Sequence, residues 1–143
     1  MKSDFKKYLL PIGILVVILL VSVLYLANPT PVGKPSSVSE IDMVLHVAEN
    51  SSEVGFDTGI EKLKFGWVPA SSYSKKNITV TNDGTDAQVV IKAEGELADW
   101  IEFSDSSFNL ANGESKDIQL KAIVPKDAQP GDVTGTLKIY FYR

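Results

Sequence analysis

Cysteine is absent from the 143 residues, which excludes disulfides, thiolate catalysis and Cys-ligated zinc. Histidine occurs once, at His46. A lone imidazole can act as a base, but it has no obvious serine or cysteine partner here, and the Gly-x-Ser-x-Gly nucleophile motif is missing. Ser72-Tyr73-Ser74-Lys75 has the Ser-x-x-Lys spacing of serine acyl-enzymes, and Ser104-Asp105-Ser106 loosely matches their second element. That chemistry needs the serine at the start of a helix, so that the lysine one turn later lies beside it. This stretch leads into a strand, and no Lys-Thr-Gly follows it. Cations are also in short supply, with 14 Lys and Arg against 18 Asp and Glu.

One long hydrophobic run is present. No charged residue falls between Leu9 and Ala27, and nineteen helical residues cover about 29 Å at 1.5 Å each, close to the thickness of a hydrocarbon core. The run has no polar face, and Tyr8 and Tyr25 flank it where amphipathic rings prefer to sit. A cleaved signal peptide has a shorter apolar region, and a cut after Ala27 places bulky Tyr25 where a small residue belongs. The expectation is an uncleaved transmembrane helix over 9–27. Lys2, Lys6 and Lys7 precede it, and no cation follows until Lys34. The positive-inside rule then keeps residues 1–8 in the cytoplasm and exports the rest, as a single-pass protein of the cytoplasmic membrane. Without that tail, 11 basic residues face 17 acidic ones, a net charge of −6. Such a domain is a poor partner for nucleic acid or an anionic lipid surface.

Residues 28–37 carry three prolines and read as a stiff stalk. From Val38 to Arg143 the apolar period is two, not 3.6. Ile41, Met43, Leu45 and Val47 alternate with Asp42, Val44 and His46. Ile78 and Val80 oppose Asn77, Thr79 and Thr81, Asn82-Asp83-Gly84 signals a turn, and Ile118, Leu120, Ala122 and Val124 alternate again. Val133, Leu137, Ile139 and Phe141 occupy one side of the last stretch. About seven short strands, with no amphipathic helix of useful length, predict an all-β, antiparallel sandwich of immunoglobulin-like type.

Phe65-Gly66-x-x-Pro69, followed by Ile78-x-Val80-x-Asn82-x-Gly84, resembles the second strand and turn of immunoglobulin-like modules in prokaryotic, often archaeal, cell-surface proteins. Val124-Pro125-x-x-Ala128-x-Pro130-Gly131-Asp132-x-x-Gly135-x-Leu137 is similar to the approach to their final strand, with Val133 where an aromatic is more usual. The resemblance covers roughly residues 60–143. It implies spacer, adhesion or assembly roles and brings no catalytic residue.

The remaining candidates are binding residues. Carboxylates recur in loops: Asp83 with Asp86, Asp99 with Glu102 and Asp105, and Asp127 with Asp132. Converging oxygens can hold calcium, although the EF-hand spacing fails because Thr79 stands five residues before Gly84. Trp67 and Trp100 can stack on sugars, yet each adjoins apolar residues where a sandwich needs core aromatics. Trp67, beside a proline loop, is also a candidate for an interaction surface. Asn50 and Asn77 begin Asn-x-Ser/Thr sequons and are possible glycosylation sites. Tyr140 and Tyr142 share the outward face of the last strand, which no later element is expected to cover. Tyrosine pairs of that kind are enriched where proteins meet.

The expected function is non-enzymatic: a membrane-anchored module, without cofactor, that serves a structural or protein-interaction role in the cell envelope. The alternative is a carbohydrate- or calcium-binding surface module. Protease added to intact spheroplasts should remove the domain and spare a tag at residue 1. Loss of the tag with a protected domain reverses the orientation.

Overall fold

The computed structural model describes residues 16–18, 33–49 and 62–143. Gly33–Arg143 forms a compact unit separate from Met1–Val32. Val16–Ile18 are helical, and the rest of the expected 9–27 helix, the 1–8 tail, Asn50 and residues 28–32 of the stalk lie outside the described residues. Among the described residues, no helix is long and apolar enough to cross a membrane.

The described part of the unit from Gly33 is all-β. Its strands are β1 (Ser37–Ala48), β2 (Leu63–Pro69), β3 (Tyr73–Thr81), β4 (Ala87–Glu94), β5 (Ile101–Phe103), β6 (Ser107–Leu110), β7 (Ser115–Ile123) and β8 (Gly131–Tyr142). A 3-10 turn at Ala98–Trp100 precedes β5. One sheet has the order β2-β1-β8-β4-β6 and the other β3-β7-β5. Both send alternate residues into one core: Met43, Leu45, Val89, Ile91 and Leu137 from the first, and Val80, Ile118, Leu120 and Ala122 from the second. Two sheets about a shared core are consistent with a β-sandwich.

Two details correct the sequence expectation. Among the described residues there are eight strands rather than about seven, because Ile101–Phe103, partly buried against the core, pairs with β7 as a separate short strand. The arrangement is also not wholly antiparallel. β2 runs parallel to β1, with Val44 opposite Lys64 and His46 opposite Trp67. Alternation reports which face of a strand is buried, but it carries no information on strand direction.

Along that parallel pair, two steps on β1 (Val44 to His46) match three on β2 (Lys64 to Trp67). The extra residue is accommodated at Gly66, whose φ of +82° suits glycine. Phe65 and Val68 are therefore both buried, and Trp67 is turned outward. Strict alternation puts Trp67 on the core side with Phe65, and the bulge reverses that. Trp100 stays partly buried against the core, as expected.

Gly135, in the middle of β8, is required for a different reason. A Cβ there would stand 2.7 Å from the Glu94 carbonyl oxygen and 3.2 Å from the Leu97 side chain. The 95–97 loop crosses β8 at this point. Leu97, with no exposed surface, closes the core, and its N–H donates to the Thr134 carbonyl at 3.0 Å.

Asn82 is the one buried polar side chain among the described residues. Its amide nitrogen donates to the carbonyls of Thr85 (2.8 Å), Leu110 (3.1 Å) and Ala111 (3.2 Å). Its Oδ1 accepts from the Gly84 N–H at 3.1 Å and from Arg143 Nη2 at 3.3 Å. Its backbone bonds to Glu114 and Gly113. The turn after β3, the turn after β6 and the residue that follows β8 are thus tied at one point. Replacing Asn82 with alanine should destabilise the unit by about 2–4 kcal/mol, since buried carbonyls lose their donors. Asn82→Asp should cost more, because it sets a carboxylate against those carbonyls. Denaturant unfolding that ranks the aspartate variant as the more stable would refute this account.

Candidate functional site

The outward face of the five-stranded sheet gathers most of the sequence candidates, in rows set by strand register. Val38 on β1, Tyr140 on β8 and Val90 on β4 share one row. Tyr142 lies beyond it, opposite Gln88, with its ring centroid 6.5 Å from that of Tyr140. Both tyrosines are half-buried. β8 is a middle strand, so its neighbours cover the flanks of each ring. Val38 is 45% exposed. Lys92 Nζ lies 5.9 Å from the Tyr140 ring centroid, within reach of a cation–π attraction.

The next rows form a charged belt. Lys138 Nζ contacts Glu94 at 2.8 Å and Glu40 at 3.6 Å, joining β4, β8 and β1. The hydrogen bond to Glu94, then the charges of Glu94 and Glu40, hold the Lys138 ammonium above the ordinary lysine range.

Beyond the belt the face ends in an aromatic cluster. Trp67 is 44% exposed. Its ring centroid is 3.8 Å from that of His46, with the planes tilted by 43°. His46 Nδ1 donates to Asp132 Oδ1 at 2.5 Å across the β1–β8 pair. Val44, Lys64 and Gly66 complete an open cleft of about 380 Å³ around these three. The His46–Asp132 pair is arranged like the base and orienting acid of a hydrolytic triad, but no residue lining the cleft carries a hydroxyl or thiol nucleophile. Ser72 and Ser74–Lys75 lie at the turn into β3 and on the strand itself, where Ser74 Oγ donates to the Phe65 carbonyl.

A larger open cleft, about 550 Å³, lies at the opposite end, between Asp86, Gln88, Asn109, Glu114, Tyr142 and Arg143. Its acids are engaged by backbone N–H groups of the turn after β6: Asp86 accepts from Asn112 at 3.0 Å, and Glu114 from Ala111 at 2.8 Å.

The carboxylates considered for calcium are dispersed among other partners. Glu102 pairs with Lys121 at 3.4 Å, Asp105 with Lys116 at 2.5 Å, and Asp132 with His46. Among the described residues, no three His, Cys, Asp or Glu side chains come together as a metal site. Asn77 is exposed on the outward side of β3, 3.4 Å from Gln119 Nε2. The sequence reading missed two features, the His46–Trp67 contact and the burial of Asn82. The pairing of a glycine with two following residues that cannot both point inward, Gly66-Trp67-Val68, is the signal that could have located the first.

No family model, curated protein or solved structure matches the chain.

The hydrogen bond from Lys116, aided by the Ser107 and Ser106 backbone and the lysine's charge, holds the Asp105 carboxyl below its ordinary range against a smaller opposing effect of burial. A depressed carboxyl contributes stability that is present above the unfolded-state value, near 3.9, and is lost as pH falls through the folded-state value. Both partners are more than a third exposed, so solvent screening keeps the contribution small. Acid titration of the unfolding midpoint should fall less steeply below about pH 4 in Asp105→Asn than in the parent. An unaltered acid limb would show that the pair contributes nothing.

Proposed function

We propose that this chain is a membrane-anchored, non-enzymatic surface protein whose immunoglobulin-like domain, of the kind found in prokaryotic and often archaeal cell-surface proteins, docks a protein of the cell envelope. The reading combines the apolar run at 9–27 and its lysine flank with the outward face of the five-stranded sheet. The observation that carries it is the Val38–Tyr140–Val90 row with Tyr142 beside it, bordered by the Glu40–Lys138–Glu94 belt. An apolar aromatic centre next to a belt of mixed charge is the composition of a protein contact surface. The rings supply area at low rotamer cost, and the charges set orientation and exclude wrong partners. Trp67 extends the same face beyond the belt.

A photoreactive residue at position 38 in intact cells is expected to crosslink one envelope protein. Tyr140→Ser with Tyr142→Ser should abolish that product while the domain keeps its β circular dichroism. The half-buried rings set the stability cost of the pair at about 1–3 kcal/mol. Crosslinking that survives in a folded double variant removes the tyrosines from the surface.

A further inference from the structure

We propose that the Trp67 cleft is a binding subsite for a neutral sugar ring. The bulge at Gly66 brings a large aromatic ring out of the core, where burial would favour it, and leaves it 44% exposed. The His46 ring packs against the indole, with its centroid 3.8 Å away and its plane tilted by 43°. Gly66 contributes no side chain to fill the space beside the indole.

The chemistry of the lining matches a pyranose on both its faces. A sugar ring presents a patch of C–H groups whose partial positive charge suits the negative face of an indole, and the Val44 methyls extend that apolar contact. Its hydroxyls need hydrogen-bond partners at the ring edge. His46 occupies Oδ1 of Asp132, and a carboxylate has acceptor capacity for several donors. The Asp132 side chain is 68% exposed, so its second oxygen is accessible to sugar hydroxyls. With Nδ1 of His46 turned to Asp132, Nε2 is the ring's other hydrogen-bonding atom. The lining carries one acid, Asp132, and one lysine, Lys64, a mixed lining that suits a neutral ligand better than a phosphate or a polyanion. At about 380 Å³ the cleft is near the lower end of the range for small-molecule sites. It has room for the end of a glycan rather than a long groove for a polymer.

The site is distinct from the docking row proposed above, because Val38, Tyr140, Val90 and Tyr142 take no part in it. The test uses the full-length chain in a detergent without a sugar headgroup, titrated with the methyl glycosides of glucose, galactose, mannose and N-acetylglucosamine. The sequence has two tryptophans, so two indole N–H signals report in the nitrogen-correlated NMR spectrum. Trp100→Phe isolates Trp67 by fluorescence as a second reading. The expected result is a saturable shift of the Trp67 signal with at least one glycoside, lost in Trp67→Ala by calorimetry and weakened about tenfold or more in Asp132→Asn. No saturable response to any of the four overturns the proposal. So does binding that persists in Trp67→Ala.

Discussion

The structure depends most on a side-chain amide that water does not reach. Asn82 follows β3 in the smaller sheet, while Leu110, which ends β6 in the larger one, and Ala111 just after it supply carbonyls that it holds. One residue therefore ties the two sheets together at one end of the core. A side-chain amide has two N–H donors, and three carbonyls share them here. Its oxygen serves a turn N–H and an arginine at once. Buried polar groups are tolerated when all their partners are met, and a partly met set is worse than none. The arrangement is consequently all-or-nothing, and it specifies the geometry of both turns as well as their stability. The linking side chain itself does not titrate, so only Arg143 among its partners carries charge.

At the other end of the larger sheet, fold and site follow from the same local choice. The bulge at Gly66 lets Val68 fill the core and turns Trp67 outward in a single step. Trp67 then meets His46 because parallel pairing sets the two residues opposite each other, and His46 meets Asp132 because antiparallel pairing does the same on its other side. Three strands of different direction and sequence distance thus supply one cluster. Any register slip of one residue in β1 would point His46 into the core and dismantle it.

Much of the fold was legible in the sequence because alternation is a local property. Met43, Leu45, Val80, Ile118, Leu120 and Leu137 all occupy the core face that their spacing implies, and Asn77 and Thr79 the outward one. The outward placement of Tyr140 and Tyr142 was equally readable. Their partial burial was not, because it depends on β8 lying between β1 and β4, a non-local fact. The direction of β2 was hidden for the same reason. Trp67 was half legible: its proline-loop setting marked it as unusual, while the alternation rule alone assigned it to the core. Asn82 read correctly as a turn residue, but the distant carbonyls that bury it come from a loop 28 and 29 residues away.

The placement of β8 has a consequence for how the chain acquires its structure. It is the last of the described strands in sequence, yet it stands in the middle of the larger sheet, joining β1 on one side to β4 on the other. The contact that seats it, Ser36 to Phe141, spans 105 positions of chain. Until β8 arrives, β2-β1 and β4-β6 are two separate ribbons with no hydrogen bond between them, each too small to hold its shape in water. A nascent chain therefore gains little from folding early, and closure of so distant a pair is slow.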